Sequence, residues 1–190
     1  MMRTDSHNAG FTLAELMIVV VLVGILSGIA IVTLSQRWSQ ERLVAAARET
    51  HSWLDAQRRI AMKEGQACEI MINTANASLD PTGTTISLSD GSNLSNSCSS
   101  QAALSIRDTV QNGSGITLTT SPNDANTIRF SFRGLSEVTT NTGTTNELVL
   151  KLNQPGSNKQ RCIKVLSPLG LIRNGWATAN SETCMYSNSF

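Results

Sequence analysis

Hydrophobic and polar positions fall into three regimes along the chain. Residues 1–10, MMRTDSHNAG, are polar and hold one base, Arg3, and one acid, Asp5. Residues 11–36, FTLAELMIVVVLVGILSGIAIVTLSQ, are apolar almost throughout, with 21 uncharged residues between Glu15 and Arg37. A helix of that length rises about 30 Å, the thickness of a bilayer's hydrocarbon core. The pattern therefore predicts a membrane-spanning helix over 11–36. In residues 37–64 the period changes. Leu43, Ala46, Ala47, Trp53, Leu54, Ile60 and Ala61 recur in helical steps and form one stripe, the mark of an amphipathic helix. Neither Gly nor Pro interrupts the chain between Gly28 and Gly65, so one helix from about Thr12 to Glu64 is expected. Gly65 suits its stop, and Arg58, Arg59 and Lys63 suit the negative end of its dipole.

From residue 65 to 190 the period falls to two. Strands are expected at Glu69–Asn73, Thr84–Ser89, Gly115–Thr120, Thr127–Phe132, Asn146–Leu152, Arg161–Ser167 and Leu169–Asn174, separated by Gly, Pro, Asn and Asp clusters. The Ser/Thr/Asn-rich stretches 73–101 and 139–146 read as surface loops, the first around one short strand. The predicted fold class is α+β: a long N-terminal helix, membrane-spanning in its first half and amphipathic in its second, packed on an antiparallel β-sandwich-like head.

Composition narrows the function classes. The net charge is +1, charged residues are 15% of the chain and aromatics 4%, against 40% hydrophobic. Low charge with ordinary hydrophobicity excludes a disordered chain and a cytosolic nucleic-acid binder. There is no P-loop, no GxSxG and no metal-ligand spacing, so no enzyme, cofactor or metal is expected. His7 and His51 are the only histidines and stand alone. Cys68, Cys98, Cys162 and Cys184 are even in number, which in an exported domain points to disulfides. Four cysteines allow three connectivities. Nearest-neighbour pairing, Cys68–Cys98 and Cys162–Cys184, closes loops of about 20 to 30 residues and tethers the Ser-rich stretch and the C-terminal tail.

The N-terminal pattern does not fit a cleaved secretory signal. Its apolar stretch is too long, and the small residues Ala9 and Gly10 precede it instead of following it. An ordinary anchor helix leaves Glu15 unexplained, because an acid within an apolar helix is costly without a partner. Gly10-Phe11-Thr12-Leu13-Ala14-Glu15-Leu16 ahead of the apolar run resembles the class III signal of type IV prepilins and type II secretion pseudopilins. The resemblance implies cleavage between Gly10 and Phe11 by a prepilin peptidase/methyltransferase and N-methylation of Phe11. It also implies that Glu15 acts in assembly. Gly10 has no side chain to keep a peptidase from the bond. Glu15 lies one turn from the new amine of Phe11, at an i, i+4 spacing.

Two blocks of the head, Ile128–Gly134 and Ile163–Arg173, resemble the strand-and-turn blocks of GspH/FimT-type minor pilins. That resemblance implies a low-abundance structural subunit of a pilus or secretion pseudopilus. It would partner other pilins through its N-terminal helix and reside in the inner membrane before assembly, with its head in the periplasm or outside. The organisation expected is a leader at 1–10, a transmembrane and assembly helix at 11–36, an amphipathic helix at 37–64 and a head at 65–190. The alternative is a DNA-binding or adhesive tip subunit. Some FimT-type members carry a Gly-Arg-x-Arg signature for DNA, and the matching positions here are Gly170-Leu171-Ile172-Arg173, with leucine in place of the first arginine. Residues 151–176 hold Lys151, Lys159, Arg161, Lys164 and Arg173 and no acid, a local charge of +5 and a candidate grip on phosphates.

Overall fold

The computed structural model describes residues 11–81, 85–87, 93–106, 115–179 and 181–186, without the side chains at 29–36, 85 and 87. The leader 1–10, and with it Gly10 and His7, lies outside the described residues. A single helix, α1, runs Leu13–Glu64. The strands follow as β1 Cys68–Asn73, β2 Ser78–Pro81, β3 Thr85–Ser87, β4 Asn93–Ser95, β5 Leu104–Ser105, β6 Thr117–Ser121 and β7 Ala125–Phe130. They continue as β8 Ser136–Thr140, β9 Gly143–Thr145, β10 Glu147–Asn153, β11 Lys159–Leu166, β12 Leu171–Thr178 and β13 Met185–Tyr186. The chain divides into two compact units, the first ending at Trp38 and the second beginning at Ser39.

In the first unit, no helix among the described residues is long and apolar enough to cross a membrane. This corrects the expected membrane-spanning first half of the helix over 11–36. It corrects with it the single-pass inner-membrane placement and the membrane as a partner before assembly. The helix itself is present, and the α+β class with a two-sheet head stands.

In the second unit, α1 buries Leu43, Ala46, Ala47, Thr50, Leu54, Gln57 and Ala61 on one face, at steps of three and four. Thr50 can sit in this stripe because its hydroxyl donates to the Ala46 carbonyl at 2.8 Å. Two antiparallel sheets complete the head, in the orders β5-β2-β1-β7-β8-β9 and β13-β12-β11-β10-β6, with a separate β3-β4 hairpin. Ile70, Leu79, Ile128, Phe130 and Val138 from the first sheet share one core with Leu148, Leu150, Leu152, Ile163 and Val165 from the second and with the helix stripe. Strands alternate inward apolar and outward polar residues, as a half-buried sheet requires.

The two expected loops hold more order than their composition implied. Residues 73–101 contain β2, β3 and β4, and residues 139–146 contain the end of β8 and all of β9. In β8, Ser136, Val138 and Thr140 are buried and the residues between them are not. Threonine is β-branched and fits a pleated surface, so a Thr-rich stretch can read as a loop and still form a strand. Thr84, Leu88 and Ser89 of the expected strand 84–89 lie outside the described residues.

One knot ties the end of α1 to both sheets. Arg58 Nε donates to the Gly134 carbonyl at 2.9 Å. Gly134, in the β7–β8 turn, and Gly170, in the β11–β12 turn, both have positive φ, 75° and 65°. A Cβ on Gly134 would meet Met62 Sδ at 2.8 Å, and one on Gly170 would collide with the Gly134 carbonyl oxygen. The turns touch through backbone alone. Gly170→Ala adds a left-handed conformation that alanine disfavours to a backbone collision. It should lower stability by about 3 kcal/mol, read as a lower urea midpoint at an unchanged slope.

Candidate functional site

The N-terminal segment begins with a cap. Phe11 and Thr12 precede α1. Thr12 Oγ1 accepts the Glu15 N–H at 3.3 Å, and the Thr12 carbonyl accepts the Leu16 N–H at 3.2 Å. Thr12 is therefore the N-cap and Glu15 the third helical residue, the Thr-x-x-Glu arrangement of a capping box. That spacing is visible in the sequence and gives Glu15 a local role beside any partner it meets: a carboxylate in the first turn is favoured by the helix dipole. Beyond the cap the surface is apolar on every side. Phe11 is 83% exposed, and the large apolar side chains from Leu13 to Leu26 lie between 53% and 75%. Gly24 and Gly28 face open space. A continuous apolar surface of this kind marks an interaction site.

The five cations expected as a patch are divided by the sheet. Lys151 lies opposite Cys162 and Lys164 opposite Arg173 in the strand register, so these three cations share the outer face of the five-stranded sheet. Lys159 and Arg161 alternate to the other face. There they line a cleft of about 60 Å³ with Gln40, Glu41, Leu43, Val44 and Ser157. Lys159 also lies 5.5 Å from the Trp176 ring centroid. On the outer face Lys164 is already paired, at 2.6 Å, with Glu147 from the neighbouring strand. Lys151 Nζ donates to the Glu182 carbonyl at 2.9 Å. Residues 151–176 contain no acid, but β-pairing brings one in from residue 147.

Disulfides join Cys68 to Cys98 and Cys162 to Cys184, with Cα–Cα distances of 5.2 and 6.3 Å. Around the first, the buried Asn96 acts as a clamp. Its Oδ1 accepts the Glu69 and Cys98 N–H groups, and its Nδ2 donates to the Glu69 carbonyl. The second pins the tail. Residues 181–186 cross the outer sheet face, Gln160 Nε2 donates to the Ser181 carbonyl, and β13 pairs with Gly175 and Trp176 of β12. Gly175 permits this crossing, since a Cβ there would meet the Met185 carbonyl oxygen at 2.6 Å and the Tyr186 ring at 2.7 Å. Neither Asn96 nor Gly175 could be singled out from local sequence, because both are defined by distant partners.

Tyr186 stacks under Lys164 at 5.2 Å from its centroid. Burial, and secondarily the negative charge of Glu147, push its phenol up to about 12. His51 Nε2 lies 3.4 Å from the Ile172 carbonyl oxygen, a backbone partner and not a catalytic one. Among the described residues no three His, Cys, Asp or Glu side chains gather as metal ligands.

Residues 5–31 match the family model described as the prokaryotic N-terminal methylation motif. This is a class III signal typical of type IV pilin-like and pseudopilin chains, and it implies processing by the peptidase and methyltransferase machinery of such proteins. The match describes a processing signal. No curated protein and no solved structure matches the chain.

Two outcomes follow from the head surfaces. Tyr186 is the sole tyrosine, so its phenolate absorbance is read without overlap from another. The native midpoint should fall near 12, against about 10 once the chain is unfolded. A phenol whose pKa is raised by folding holds its proton longer in the native state. Its contribution is complete below pH about 10 and is lost as pH rises toward 12, so urea stability should decline across that window. With the cations split and Lys164 paired, double-stranded DNA should be held weakly at about 150 mM salt. The log-log salt slope should be about −2, as for two phosphates neutralised. Gel shifts at several salt concentrations measure it.

Proposed function

We propose that the chain is a minor pilin- or pseudopilin-like structural subunit of the GspH/FimT kind, processed at its N-terminus and assembled with other such subunits through its N-terminal helix. The observation that carries this reading is the methylation motif over residues 5–31. It is supported by the exposed apolar surface that begins at Phe11 and by the two-sheet head with its Gly134 and Gly170 turns. The peptidase hydrolyses the bond between Gly10 and Phe11, and a methyl group is then transferred to the freed amine of Phe11. Glu15 offsets that positive amine, either in its own chain at the i, i+4 distance or in a neighbouring subunit. The apolar side chains of 13–28 are removed from water when helices of several subunits pack together, which stabilises the fibre by about 25 cal/mol per Å² buried. The separation of Lys159 and Arg161 from Lys151, Lys164 and Arg173 gives no support to a DNA-receiving tip.

Mass spectrometry of assembled material should find a 180-residue chain that starts at N-methyl-Phe11. An intact Met1, or a start beyond Gly28, would refute the reading. Gly10→Val should leave the precursor uncut. Glu15→Val should be cut normally but enter fibres poorly, and equal incorporation of that variant would remove the pairing role.

A further inference from the structure

The two disulfides stand in different surroundings. Cys68 and Cys98 are both fully buried, and Asn96 fixes the backbone around them. Cys162 is fully buried, but Cys184 is only partly covered, at the margin of a small cluster formed by Val149, Cys162, Ala177 and Tyr186. Cys184 is thus the one of the four cysteines with surface open to solvent, and a thiolate from solution meets it before the buried first pair. The leaving atom is then Cys162 Sγ. It sits on a face with cations: Lys151 is its cross-strand partner and Lys164 is two residues along the same strand. Lys164 is paired with Glu147 and Lys151 with the Glu182 carbonyl, so the selectivity rests on which sulfur is reached and not on the leaving group. Apart from the disulfide, the tail is held to β10 and β11 by two side-chain bonds, from Gln160 and Lys151, and by the Tyr186 ring against Lys164, and to β12 by a two-residue pairing and the Ser181 N–H on the Thr178 carbonyl. A pairing so short is marginal in water without another constraint.

We propose that Cys162–Cys184 is a thiol-sensitive latch, whose reduction releases residues 181–186 from the five-stranded sheet while Cys68–Cys98 stays closed. The reductant is a dithiol. Its thiolate attacks Cys184 Sγ, the bond to Cys162 breaks, and Cys162 leaves as a thiolate that takes up a proton. The second thiol of the reductant then attacks the mixed disulfide and frees Cys184. Two electrons pass from the dithiol, which becomes a cyclic disulfide. Release uncovers Val149 and Ala177 and frees the backbone groups of β12 at Gly175 and Trp176, which an extended segment can then pair with. This device does not depend on N-terminal processing.

The test treats the full chain with graded dithiothreitol, traps thiols by alkylation and maps the peptides. Cys162 and Cys184 should be labelled at least about tenfold faster than Cys68 and Cys98. Amide exchange should then speed up by about tenfold or more at whichever of Gly175 and Trp176 turns its N–H toward β13, while β1 and β7 keep their protection. The double variant Cys162→Ser, Cys184→Ser should show the same exchange pattern without reductant. Equal labelling rates for the two pairs, or earlier labelling of Cys68 and Cys98, would overturn the selectivity. Unchanged exchange at Gly175 and Trp176, in the reduced protein or in the double variant, would overturn the latch.

Discussion

The head depends on one contact between backbone and side chain, the Arg58 guanidinium on the Gly134 carbonyl with Gly170 pressed against the same oxygen. Three elements far apart in sequence meet there: the last turns of α1, the β7–β8 turn and the β11–β12 turn. A buried carbonyl needs a donor, and here a charged donor from the helix supplies it. Without the two glycines the turns could not approach, and the hydrogen bonds of Ser136 to Leu166, Ser167 and Pro168 that also tie the sheets would be strained. Apolar packing is non-directional, so it fills a core without setting the angle between its layers. The knot supplies that direction.

The sequence was most legible where a pattern is local. Helical periodicity over 43–61 named Leu43, Ala46, Ala47, Leu54 and Ala61, which the structure buries, and Trp53 and Ile60, which pack partly buried against the same core. It did not name Thr50 or Gln57, because a polar residue in a stripe looks like an interruption until its partner is known. Alternation found the longer apolar strands but passed over the short β2, β4, β5 and β13 and over β8 and β9, where threonine takes the place of valine. The arrangement of cations was least legible. A count along residues 151–176 sees five positive charges together, whereas β-pairing turns alternate residues to opposite faces and carries Glu147 in beside Lys164. Charge counted in sequence order and charge counted across a sheet are different quantities.

The N-terminal segment shows another limit of the same kind. An uncharged run has a length in residues, and length alone suggested a membrane span. No helix among the described residues is long and apolar enough to cross a membrane, and the helix carries a carboxylate in its first turn. What remains is a helix start with a threonine cap, an acid placed where the dipole favours it and an uncovered apolar surface. These features agree with one another as a substrate for processing and as a surface for helix–helix association.

The sheet edges carry a consequence for how such a subunit associates. The six-stranded sheet ends in β5, two residues, and β9, three residues. The five-stranded sheet ends in β13, two residues, and β6, five residues. Long flat edges invite strand-to-strand growth between molecules, and short ones blunt it. Three of these four edges are too short to template another chain. If the helix polymerises as proposed, heads that zip together would make growth branch in two directions, and blunted edges would leave the helix to set the axis of growth.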